Sequence, residues 1–226
     1  CCDASGPMPG RPVRVDRVPF GGHLPSMPRL VLALALLLTG AAPVLRAQVE
    51  YHVRAGAVGA SNLLRDVIIT EVKVRQSIAP MVALGGSLPI GDRGYRANVE
   101  GTFASGKYHS SENGVSTDLG TLRTATLMLG LEGPIVHNLR WRVGLGVIQY
   151  MPSDDEGIFL SGGTTRVLVG AGADYRRPVL AKWDIMASLR YDFHRFTTGA
   201  LEARGFSQTQ AVNRVSLSVG ISRGIR

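Results

Sequence analysis

From Lys182 to His194 the side chains alternate with a period of two. Read as a strand, this segment places Trp183, Ile185, Ala187, Leu189, Tyr191 and Phe193 on one face and Asp184, Met186, Ser188, Arg190, Asp192 and His194 on the other, because successive residues of an extended chain point to opposite sides. The first face is oily and the second carries charge. Aromatics at both ends of a band of aliphatics are what a strand needs to cross a bilayer.

Seven further segments repeat the pattern, so eight strands are predicted. They run from Val49 to Ala57, approximately Val72 to Leu88, Tyr95 to Phe103, Thr124 to Glu132, Leu139 to Ile148, Arg166 to Tyr175, the segment above, and Arg214 to Ser222. In the second, Val72, Val74, Ile78, Val82 and Leu84 share a register, and Pro80 calls for a bulge or a local gap in pairing because proline removes a ladder donor. The connections alternate in length. Polar stretches at Ser61 to Asp66, Lys107 to Asp118, Pro152 to Gly157 and Thr197 to Gln210 alternate with tight turns at Pro89 to Gly94, at Gly133 to Asn138 and from Arg176-Arg177-Pro178. Long loops on one side and short turns on the other mark an all-β, eight-stranded antiparallel up-and-down transmembrane β-barrel.

A water-soluble barrel would turn the oily faces inward. The polar register here is rich in Gly, Ser and Thr, which a narrow lumen can hold, instead of the Lys and Glu of a solvated surface. Tyr95, Trp141 and Trp183 each open a strand just after a tight turn and Tyr175 closes one, so these four form an aromatic girdle at one rim. The polar register then lines the lumen with Glu50, Glu100, Glu132, Asp174, Asp184 and Asp192 against Arg54, Arg96, Arg140, Arg142 and Arg190, while Arg166 and Arg214 lie nearer the loop end. Mixed charges in so narrow a tube must pair, since an unpaired buried charge is costly. A plugged lumen follows, and no single-sign lining marks an ion-selective pore.

The N-terminal residues read differently. Leu30 to Leu38 is the one continuous apolar run, too short for the roughly 20 residues of a spanning helix. With Met27 and Arg29 before it and small residues after it, it reads as a signal peptide over 27–47, cleaved after Ala47. Residues 1–26 read as upstream sequence with Met27 as initiator, and 48–226 as the barrel. Both cysteines, Cys1 and Cys2, precede that barrel, which excludes a disulfide framework or cysteine metal site within it. The chain is basic, with a formal charge of +8 and a pI near 10.1. Its only lysines are Lys73, Lys107 and Lys182, and no basic cluster interleaves with aromatics, so nucleic acid is not an expected partner.

Residues 48–226, with the eight alternating strands, tight turns on one side and charged lumen quoted above, resemble the OmpA/OmpX-type small outer-membrane barrels of Gram-negative bacteria. The resemblance implies a place in the outer membrane among its lipid and lipopolysaccharide, reached by export and cleavage of the signal peptide. It also implies periplasmic chaperones and the outer-membrane assembly machinery as partners. One feature departs from the pattern: such proteins usually end in an aromatic, whereas this sequence ends Ser222-Arg223-Gly224-Ile225-Arg226, with Ile225 left to serve in the oily register.

Barrels of this class include lipid-modifying enzymes, for which the candidates are His109 with Ser110 and Ser111, and His194 with Asp192. A hydrolase needs a serine within hydrogen-bond reach of a histidine that an acid orients, and adjacency in sequence does not establish that. His52 and His194 fall in the lumen register and join the charge network; His137 reads as a surface turn residue. The acidic run Asp154-Asp155-Glu156 lacks the ligand spacing of a calcium loop. The expectation is a non-enzymatic, monomeric barrel without cofactor or metal, acting structurally or through its loops; the alternative is a narrow channel or carrier for small hydrophobic molecules.

Overall fold

Valine, leucine and aromatic residues at every second position favour extended chain, whose pleat sends them to one side. In the computed structural model, which describes residues 49–67, 71–112, 114–154, 159, 163–198 and 210–224, these segments are strands. They are β1 (Glu50–Ala60), β2 (Leu64–Val67), β3 (Glu71–Gln76), β4 (Ala79–Ile90), β5 (Tyr95–Glu112), β6 (Val115–Val136), β7 (Leu139–Pro152), β8 (Thr164–Leu180), β9 (Trp183–Phe196) and β10 (Gln210–Gly224). Strands β1 and β4 to β10 close an eight-stranded antiparallel barrel. Chain neighbours from β4 to β10 pair in turn, and β1 joins β4 to β10. The remaining two, β2 and β3, form a hairpin added to the far end of β5.

The faces divide as the alternation requires. Leu145 and Leu189 are 62% and 54% exposed, whereas Ser188 and Arg190 are 4% and 7% exposed. The segment from Trp183 to Phe193 is about 33 Å long at ~3.3 Å per residue; tilted by about 40°, it spans about 25 Å, the height of a barrel's apolar band.

Several boundaries differ from those read in the sequence. The predicted second strand is two, β3 and β4, broken at Ser77 and Ile78. Pairing with β5 slips there, from Gln76 opposite Tyr108 to Met81 opposite Ala104, and a one-residue slip inverts the faces. Val74 is therefore buried while Val82 and Leu84 are exposed. The irregularity precedes Pro80, which sits in β4 opposite Ala57. Lys107 to Asp118 is no loop: β5 and β6 continue as a hairpin whose turn includes Gly114, at a φ of +80° that favours glycine. Gly133 to Val136 belongs to β6, and β8 runs through Arg176 to Leu180, so the third tight turn is Ala181-Lys182. In the last three cases cross-strand pairing carried the chain through residues whose local preference is for turns.

Candidate functional site in the lumen

Even-numbered positions of β1, β5, β6, β7, β8 and β9 face inward and build a layer of ionised side chains. At its centre is Glu100, 2% exposed. Arg190 Nη1 donates to its Oε1 at 2.9 Å, Arg54 and Arg142 donate to its Oε2, and His52 Nε2 lies 3.0 Å from that same oxygen. Arg142 reaches on to Asp174 at 2.5 Å, and Arg190 Nε donates to Asp192 at 2.6 Å. Nearer the tight turns, Arg176 donates to Glu50 at 2.5 Å and to both oxygens of Glu132 at 3.1 and 3.2 Å. Arg96 and Arg140 approach Glu132 at 3.6 and 3.4 Å.

Such a layer needs room at the wall, which glycine provides. A β-carbon on Gly170 would collide with Asp192 Oδ1, and one on Gly85 with His52 Nε2. The lumen is narrow enough that the backbone itself must make space for the side chains of the network.

Toward the loop end the lining becomes apolar. Tyr108, Leu122, Ile148, Tyr150, Phe159, Leu168, Phe196 and Val212 form one buried cluster with Leu63, Leu64 and Val74 from the first long connection. Phe159 meets Tyr108 and Phe196 edge-on, at centroid separations of 6.0 and 5.9 Å. His194 is the polar member, its Nε2 2.8 Å from Tyr150 Oη. Between the two layers Arg214 donates to Thr124; a space of about 10 Å³ beside Glu100 and Arg142 and another beside Arg214 and Asp192 are each large enough for about one water.

Of the residues expected in the network, all but one take part. Asp184 is half-buried in the lumen register but forms no ion pair among the described residues, because it lies one residue inside the rim at the start of β9. Arg176 was missed. Its parity matches Asp174, but the Arg-Arg-Pro sequence reads as a turn. Of the aromatic rim, Tyr95 and Trp141 pack at 6.2 Å, Arg223 lies 5.2 Å over Trp183, and Tyr175 is exposed opposite Leu139 beside the β6–β7 turn. Tyr51, 54% exposed and opposite Arg223, joins that row.

The enzyme candidates fare differently. His194 bonds Tyr150, while Asp192 bonds Arg190. His109 lies on the outer face against Ser77, not against Ser110 or Ser111. His137 is exposed in its turn. No group of acidic, histidine or cysteine residues able to hold a metal occurs among the described residues. Residues 1–26, the signal peptide expected at 27–47, Asp155, Glu156 and Ile225 lie outside the described residues.

An oily belt around a closed, charge-filled interior suits only one solvent. The chain is a transmembrane β-barrel of the outer-membrane type. No helix among the described residues is long and apolar enough to cross a membrane. Among solved structures the barrel is similar to Ail, the attachment invasion locus protein of Yersinia pestis, in complex with sucrose octasulfate (14% identity, 79% of this chain and 99% of that one, TM-score 0.41). It is also similar to Neisserial surface protein A (13% identity, 77% and 96%, TM-score 0.44) and to OprG of Pseudomonas aeruginosa (11% identity, 79% and 96%, TM-score 0.46). No family model and no curated protein matches the chain.

Proposed function

We propose that this barrel is a plugged, non-conducting protein of the bacterial outer membrane that acts at the cell surface through the structure on its loop side. One observation carries the reading: the lumen is filled twice, by the ion network around Glu100 and by the aromatic cluster around Phe159. Moving a solvated ion through would require breaking paired charges in a low dielectric, at several kcal/mol for each charge exposed, and then crossing a dry apolar layer. The long hairpins are better placed for work. Strands β5 and β6 reach Glu112 and Val115, beyond the band, and β2–β3 braces them. The surroundings are outer-membrane lipid and lipopolysaccharide, and the route there is a signal peptide, periplasmic chaperones and the assembly machinery.

Conductance across a planar bilayer tests the plug. The reconstituted barrel should insert without stable openings at ordinary voltage; long-lived discrete conductance would overturn the reading.

A further inference from the structure

At the loop end of the wall, where β3 gives way to β4, three strands bring together residues far apart in sequence. Arg75 pairs with His109, and His109 pairs with Asp118, which sets Ser77, His109 and Asp118 side by side. Ser77 Oγ lies 3.0 Å from His109 Nε2, and the other ring nitrogen, Nδ1, lies 4.0 Å from Asp118 Oδ1. The carboxylate is itself held in place. Gly120 N–H donates to its Oδ1 at 2.9 Å and Lys107 Nζ to its Oδ2 at 3.0 Å. Hydroxyl to Nε2, and Nδ1 toward a fixed carboxylate, is the order in which a nucleophile, its base and the group orienting that base must stand. We propose that Ser77, His109 and Asp118 form a hydrolytic triad that cleaves a fatty-acyl ester of a membrane lipid.

The place in the fold selects the substrate class. Ile78, the next residue, is 76% exposed, and Val82 and Leu84 follow it down the outer face of β4. The serine thus stands at the upper edge of the apolar belt, where the ester linkages of a lipid lie between acyl chain and headgroup. His109, Asp118 and Lys107 are on the watery side, at 37%, 46% and 69% exposure. The N–H of Ser77 is committed to Lys107 O at 2.9 Å. The N–H of Ile78, the residue following the nucleophile, stands at the usual position of an oxyanion donor.

In the reaction, Ser77 Oγ attacks the ester carbonyl carbon while its proton passes to His109 Nε2. The bond from that carbon to the alcohol oxygen breaks, and the imidazolium returns the proton to the leaving alkoxide. Water then gives a proton to His109 and its oxygen to the acyl carbon; the carbon–Oγ bond breaks, and Ser77 regains a proton. The products are a fatty acid and an alcohol, with no oxidant or reductant required.

The full-length barrel, folded in detergent and checked by heat-modifiable gel mobility, is tested with a serine-directed fluorophosphonate and with mixed phospholipid–detergent micelles. The probe should add to Ser77, and fatty acid should be released. Ser77→Ala should abolish both, His109→Ala should lower release about 10³-fold, and Asp118→Asn should lower it about 10²-fold. Ser110→Ala and Ser111→Ala should leave release unchanged. If the folded barrel neither takes up the probe nor releases fatty acid, the proposal is wrong; hydrolysis of a soluble ester without release from phospholipid would overturn the substrate assignment. Neither outcome bears on the plug, which conductance reads separately.

Discussion

Arg176 and Arg177 are neighbours with opposite fates. Arg176 is buried, shared between Glu50 and Glu132, whereas Arg177 is exposed on the outer face opposite Ile185. Removing one member of a buried ionic group leaves its partners uncompensated, at about 3 kcal/mol or more; removing an exposed charge costs a few tenths. Arg176→Ala should therefore lower the denaturant midpoint of the detergent-folded barrel markedly, and Arg177→Ala should leave it nearly unchanged. Equal effects would mean that the inner layer is not the electrostatic unit described. At this scale the sequence was legible through parity alone, which placed Glu100, Arg142 and Asp174 inside. It could not show which arginine meets which acid, because those partners come from different strands. Nor could it show that Ser77 meets His109, a pairing that depends on the slip between β3 and β4.

Among the elements, the hairpin of β5 and β6 shows how pairing extends a strand past its local signals. Its residues from Lys107 to Asp118 are polar and suited to a loop, yet they continue the ladder to Glu112 opposite Val115. Asp118 helps anchor it. The hydrogen bond from Gly120 N–H, and then the one from Lys107, hold its carboxyl below the usual carboxylate range. A lowered folded-state pKa means that the anchor is fully present above the ordinary carboxylate pKa and is lost as pH falls through the lowered value. Hydrogen exchange at the Gly120 amide, corrected for intrinsic rates, should show protection at neutral pH that disappears in that acidic window. Protection that persists there, or that is absent throughout, would remove Asp118 from the hairpin's support.

The barrel is inverted relative to a water-soluble globule, greasy outside, with an ion network and an apolar cluster within. Spin labels on cysteines at Leu145 and Leu189 should be accessible to oxygen in the bilayer and shielded from polar relaxation agents. Labels at Ser188 and Ser218 should be shielded from both. Labels at Leu145 and Leu189 that proved open to water, or buried in protein, would contradict the barrel's orientation. Period-two alternation, the alternating lengths of the connections, the small residues of the polar register and the aromatic rim together determined the number of spanning strands, their up-and-down order and which face meets lipid, as the pleat and the cost of exposing polar groups to hydrocarbon require. Only the tertiary structure decided where strands end, how the lumen is stopped and which side chains touch. Those outcomes depend on register between strands distant in sequence, where a shift of one residue between β3 and β4 turns Val74 inward and brings Ser77 against His109.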